Sequence, residues 1–193
     1  MEHNKKRLGK SLLPIFIIVL MVFSTFGIII GGTSRSQTDP QKIEYKEYEF
    51  KLDSNNKWYT YKDGQKLEFL YDPLTLENVY TGDLFNKIFS HKKTYLSVNP
   101  NEAPAREIEF FRSVSSSITN KPFILSCFSD FKGCETLPLK DCNDSIINEV
   151  LVINLVSGQE AFQEEGSCIG IVGNAETFIK VAEKIRLEYL TNG

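Results

Sequence analysis

The longest uninterrupted feature of the chain is an apolar run with no polar period in it. Residues 12–30 read LLPIFIIVLMVFSTFGIII, and no charged side chain occurs from Ser11 through Ser34. A helix rising about 1.5 Å per residue crosses about 30 Å of hydrocarbon with such a run, so residues 12–30 are expected to lie in membrane lipid. Pro14 falls in the first turn, where its missing N–H has no intrahelical partner to lose. Downstream the pattern changes to period two. Tyr48, Phe50 and Leu52 alternate with polar residues from position 44 onward, residues 53–56 (DSNN) give a turn, residues 57–61 (KWYTY) a second strand and residues 66–71 a third. Asp63-Gly64 suits the hairpin between the last two, because both central residues of its turn need positive φ. The expected element is a three-stranded antiparallel meander. Its aromatics, Tyr45, Tyr48, Phe50, Trp58, Tyr59, Tyr61, Phe69 and Tyr71, supply the apolar face that so small a sheet requires. Trp58 and Tyr59 point to opposite faces, and whichever points outward is a candidate interaction surface.

After Pro73 the spacing becomes helical over residues 83–91, with Leu84, Phe85, Ile88 and Phe89 on one side and Asp83 as candidate cap. A strand at 94–98, a helix at 103–118 with Ile108, Phe111, Val114 and Ile118 on one face, and a strand at 122–128 make a βαβ unit with parallel strands. Residues 129–147 are irregular. Residues 149–156 (EVLVINLV) are nearly continuously apolar, as a central strand is. Residues 159–167 read as an acidic surface excursion, residues 168–172 as the last strand, and Asn174 as cap of a closing helix bearing Phe178, Val181, Ala182, Ile185 and Tyr189. The predicted class is α+β: an N-terminal transmembrane helix, the meander, then a mixed sheet with a βαβ unit and the C-terminal helix packed on it.

Charge orients the apolar run. Lys5, Lys6, Arg7 and Lys10 precede it and only Arg35 closely follows, so the N-terminus is expected in the cytoplasm and the remainder outside the cell membrane. The chain then divides into a cytoplasmic basic tail (1–10), a transmembrane signal anchor (11–32), a flexible stalk (33–43) and an extracytoplasmic domain (44–193). A cleaved signal peptide is the alternative. Its apolar centre normally spans about 7 to 15 residues and ends at an A-x-A-like site, neither of which is found here. Four of the 22 Lys and Arg and one of the 25 Asp and Glu precede residue 33, which leaves the downstream part a formal −6. No basic stripe interleaved with aromatics occurs, so nucleic acid is not an expected partner.

Cys127, Cys134, Cys142 and Cys168 all lie downstream of the run, and an even count outside the membrane reads as disulfides. Three connectivities are open. Cys127 with Cys134 and Cys142 with Cys168 is the first expectation; Cys134 with Cys142 and Cys127 with Cys168 is its closest rival. The spacing C-x6-C-x7-C lacks the paired knuckles of a zinc site, and no metal or other cofactor is expected. Asn143-Asp144-Ser145 is a possible glycosylation acceptor at Asn143. His91 is the only histidine beyond the basic tail; it falls at the end of a short helix, where a solvated side chain is expected, and no catalytic residue is assigned. No phosphate-cradling, nucleophile-elbow or metalloprotease motif occurs.

The basic tail and anchor, the aromatic meander around Trp58, the segment LPLKDC, and Ser-Cys-Ile-Gly-Ile-Val-Gly before the closing helix resemble the membrane-anchored proteins of small-genome, DPANN-type archaea. The resemblance is concentrated in residues 122–193 and rests chiefly on Cys142 and Cys168. It implies a bond between those two cysteines and no particular activity. The expectation from these features is a single-pass membrane protein whose outer domain binds or scaffolds a protein partner. Its alternatives are an extracytoplasmic enzyme or thiol-redox subunit using the cysteines, and a structural subunit of a membrane complex.

Overall fold

In the first sheet the strands follow chain order and run antiparallel: β1 (Lys42–Tyr45), β2 (Tyr48–Leu52), β3 (Trp58–Lys62) and β4 (Gln65–Phe69). The computed structural model describes residues 41–192; the expected basic tail, the apolar run and the stalk up to residue 40 lie outside them. Among the described residues no helix is long and apolar enough to cross a membrane. The meander has four strands where the alternation predicts three. Lys46 takes a φ of 53° and reverses the chain with Glu47, while Tyr45 and Tyr48 pair across the turn. The alternation slips by one position there, because two polar residues, Lys46 and Glu47, stand between Tyr45 and Tyr48, and that slip is the mark of the reversal that the three-strand expectation passes over. The expected stalk therefore overlaps β1 at residues 42 and 43. The β3–β4 turn is as anticipated, with φ of 50° at Asp63 and 79° at Gly64.

One face of this sheet is a core of Tyr45, Phe50, Trp58, Leu67 and Phe69, with Phe50 and Phe69 edge to face at 5.4 Å. A short helix that the periodicity did not indicate, α1 (Pro73–Glu77), adds Leu76 to it. Its start is nevertheless written locally. Asp72 accepts the Thr75 N–H at 2.9 Å, and Pro73 stands where a missing N–H is harmless.

The second sheet has the order β6-β5-β7-β9-β8, from β5 (Lys93–Val98), β6 (Phe123–Cys127), β7 (Val150–Ser157), β8 (Ala161–Glu165) and β9 (Cys168–Gly173). β5 and β6 are parallel and joined by α3 (Ala105–Thr119), which is the expected βαβ unit, and β7 is central between β5 and β9. The predicted surface excursion is instead the antiparallel edge strand β8. Of its side chains only Phe162 packs on the core, so it has no apolar alternation to announce it. Two further helices are α2 (Leu84–Ser90) and α4 (Ala175–Asn192). Asn174 caps α4 as expected, accepting the Thr177 N–H at 3.0 Å; Asp83 makes no such bond at α2 and accepts the Asn86 side-chain amide instead.

The two faces of the second sheet differ in chemistry. Leu96, Leu151, Ile153, Ile169 and Ile171 meet Phe111 and Val114 of α3 and Phe178, Val181 and Ile185 of α4 in the main core. A second set of register neighbours, Ser126, Ser97, Asn154, Gly170 and Gln163, crosses all five strands as a polar row. The segment between β6 and β7 covers part of this row, the Ser97 hydroxyl donating to the Lys140 carbonyl at 2.6 Å. Disulfides Cys127–Cys134 and Cys142–Cys168 pin that segment, which is the first of the expected pairings. An irregular loop with few apolar contacts gains most from such links, typically about 2–4 kcal/mol each.

Helix α4 joins the two halves. Phe178 to Ile185 serve the second sheet, whereas Leu187 and Leu190 complete the core of the first. Lys62 of β3 donates to the carbonyls of Tyr189 and Leu190 at 2.7 and 3.3 Å, supplying a cation where the helix leaves carbonyls unpaired. Leu187→Ala removes a fully packed side chain and is expected to cost about 2–5 kcal/mol. Hydrogen exchange should then accelerate in β2–β4 before β7; equal acceleration in both sheets would contradict the division of α4 between the two cores.

Candidate functional site

The residues singled out by sequence do not converge. Trp58 is buried in the first core, and Tyr59 is the outward member of the pair, edge-on to Tyr61 at 6.0 Å with the Lys66 ammonium 4.5 Å over its ring. Asn143 is exposed in a 3-10 turn, Cys142–Asp144, which Asp141 and Asp144 close as a capping box. The expectation for His91 is overturned: only 4 % of it is exposed. The turn between β8 and β9 lays Ser167 against it, placing the hydroxyl 2.8 Å from Nε2, while Nδ1 lies 2.7 Å from the Lys87 carbonyl. With Nδ1 donating to that carbonyl, Nε2 accepts the serine proton. This is the hydrogen-bond order of a nucleophile and base, but both side chains are enclosed, and the contact ties β9 to the end of α2.

The group with unusual chemistry lies elsewhere, on α4 and the first sheet. Glu183 is completely buried and takes the Leu70 N–H at 2.6 Å and the Tyr71 N–H at 3.1 Å. These amides follow β4, where the chain leaves the sheet and its ladder offers them no carbonyl. Burial pushes the Glu183 carboxyl up to about 7, against the two backbone donors and the Arg186 and Lys57 charges, which favour the ionised form. Loss of solvation is the larger effect.

One helical turn on, Arg186 donates to the Glu68 carbonyl and lies with its guanidinium carbon 5.7 Å from the Phe69 ring centroid. Burial also disfavours its charge, which Glu183 and Glu68 partly restore. No carboxylate among the described residues is within ion-pair distance of it, and its remaining N–H donors have no partner there. Both residues line a cleft of about 350 Å³ with Lys57, Lys66, Glu68, Leu70, Phe110 and Ser117. Glu68 sits between two lysines, 2.7 Å from Lys66 and 3.5 Å from Lys57.

Sequence reasoning missed this cleft because Glu183 and Arg186 look like the polar side of an amphipathic helix. The available signal was the second apolar stripe: Leu187 and Leu190 stand four and seven positions after Glu183, so the three share a face. Among the described residues no group of three or more metal-ligating side chains assembles. The chain matches no protein-family model, no curated protein and no solved structure.

The raised carboxyl fixes the sign of a pH effect. Folded Glu183 keeps its proton up to about 7, while the unfolded group loses it near 4.5. Its contribution is therefore full below 4.5 and lost as pH rises through 7, amounting to about 3 kcal/mol. Glu183→Gln leaves one backbone N–H without an acceptor and should cost about 1–3 kcal/mol at pH 5. Denaturant titrations should show that deficit shrinking by about 2–3 kcal/mol between pH 5 and pH 8, because only the native chain must then bury a charge. A deficit independent of pH would refute this assignment.

Proposed function

We propose that the chain is a single-pass membrane protein, anchored through residues 12–30, whose disulfide-bonded domain lies outside the cytoplasm and binds or scaffolds a protein partner. The observation that supports this best is the complete pairing of the four cysteines, since two such bridges persist in an oxidising compartment and are rare in a reducing one. The direction of insertion follows the basic flank before the apolar run. Partner binding is favoured by the enclosure of the Ser167–His91 pair, which leaves it no route to a substrate. It is favoured also by large apolar side chains left uncovered, Tyr80 at 73 % and Ile147 at 74 % exposure among them.

A second reading, a thiol-redox subunit, rests on the contrast between the two bridges. Cys127 and Cys134 are buried, whereas Cys142 is exposed and accepts the Asn154 side-chain amide at 3.4 Å, beside Gln163 and Glu165. An accessible sulfur with a donor on it is the one that a thiolate reaches first.

Maleimide labelling of the denatured full-length chain, taken from intact cells, should modify no cysteine before reduction and four after it. A protease added outside the cells should remove a tag fused at Gly193. Free thiols together with a protected tag would overturn the anchored, exported reading. Reduction of Cys142–Cys168 alone by an equilibrium glutathione buffer would favour the redox reading over the partner-binding one.

A further inference from the structure

The cleft between β4, α3 and α4 has a charge balance opposite to that of the protein around it. Lys57, Lys66 and Arg186 face Glu68 and Glu183, an excess of one cation with both acids ionised and of two when Glu183 holds its proton, in a chain of formal charge −3. An isolated cationic recess on an acidic protein concentrates anions. Arg186 sharpens that preference. Its guanidinium is partly withdrawn from water, spends one hydrogen bond on the Glu68 carbonyl, and keeps the rest of its planar donor fork without a partner among the described residues. A cation partly withdrawn from water gains from an anion that meets it, and a fork of this shape matches a carboxylate in two parallel bonds. Glu183 cannot be that anion, because its oxygens are directed to the Leu70 and Tyr71 amides. Leu70 and Phe110 add apolar surface beside these polar groups, and about 350 Å³ exceeds what a bare inorganic ion fills.

We propose that this cleft binds an organic carboxylate. The guanidinium of Arg186 takes the carboxylate, Lys57 and Lys66 stand over it at the mouth, and Leu70 and Phe110 cover its apolar body. The carboxylate belongs to a free acid or to the end of a partner chain; both present the same group. Such binding needs neither a membrane nor export, so it goes beyond the anchored reading and its outcome is separate from that of the labelling and protease tests.

The test is a titration of the ¹⁵N-labelled full chain in detergent micelles with N-acetylphenylalanine, its amide and inorganic phosphate. The acid should shift the Arg186 Nε–H and the Leu70 and Tyr71 amide resonances saturably. The amide and phosphate should bind at least about tenfold more weakly, the worth of one charge-assisted hydrogen bond. Lys57→Gln with Lys66→Gln, both on half-exposed side chains, should weaken the acid about tenfold and leave the β7 resonances in place. Arg186→Gln should abolish the shifts; since Arg186 also holds β4, unchanged β7 resonances are the control for folding. A hexapeptide ending in phenylalanine that binds about tenfold more tightly than the free acid assigns the ligand to a partner's chain end, and equal affinity assigns it to a free acid. Equal binding of acid and amide, equal binding of phosphate, or saturable shifts confined to residues outside the cleft would each overturn the proposal, as would no shift at all.

Discussion

Each sheet presents one apolar face, and helix α4 has to cover part of both. Neither core closes without it: Phe178, Val181, Ala182 and Ile185 fill the larger one, and Leu187 and Leu190 lie among Tyr45, Phe50, Trp58 and Phe69 in the smaller. The helix manages this by presenting two stripes in succession along its length. Where the stripes overlap, a position that faces water on an ordinary amphipathic helix is turned inward, and Glu183 occupies it. The buried acid is thus a by-product of the shared helix as much as a feature in its own right.

That acid then takes a structural task. The chain leaving β4 exposes two amides with no ladder partner, and the carboxyl of Glu183 accepts both. Arg186 holds the carbonyl of Glu68 in the same strand, and Lys62 closes the end of α4 from β3. All these contacts join the first sheet to the last helix, so the docking sets a buried carboxyl and its partners beside the apolar contacts of Leu187 and Leu190. The cleft opens along this seam, which is why cations and acids gather there.

Where burial imposes a simple period, the residues announce the structure. The tracts around Phe50, Leu67 and Phe69, the run of β7 and the spacing of Ile108, Phe111 and Val114 all name their element and its inner face. The failures share a cause, that the deciding contact is distant or the local signal is no more than a one-residue slip in the period. The reversal at Lys46 shifts the alternation by a single residue, and β8 is an edge held by backbone bonds with little apolar burial. His91 looks solvated until Ser167, 76 residues later, closes over it. The paired cysteines were legible as a class from their number and position, and the first of the expected pairings is the one the fold holds, its choice over the rival resting on the fold. Glu183 and Arg186 read as a solvated helix face despite the second apolar stripe beside them, since the groups that bury them come from more than 110 residues earlier.

The division of α4 between two cores has a consequence for how the polypeptide is made. Lys62 meets Tyr189 across 127 positions, and the aromatic core that begins at Tyr45 is completed only by Leu187 and Leu190. A ribosome releases the meander early, yet the surface that seals it emerges last. Vectorial folding from the N-terminus therefore stops at an open-faced sheet with Phe50 and Phe69 bare, and such a species depends on protection or speed to avoid sticking to its neighbours.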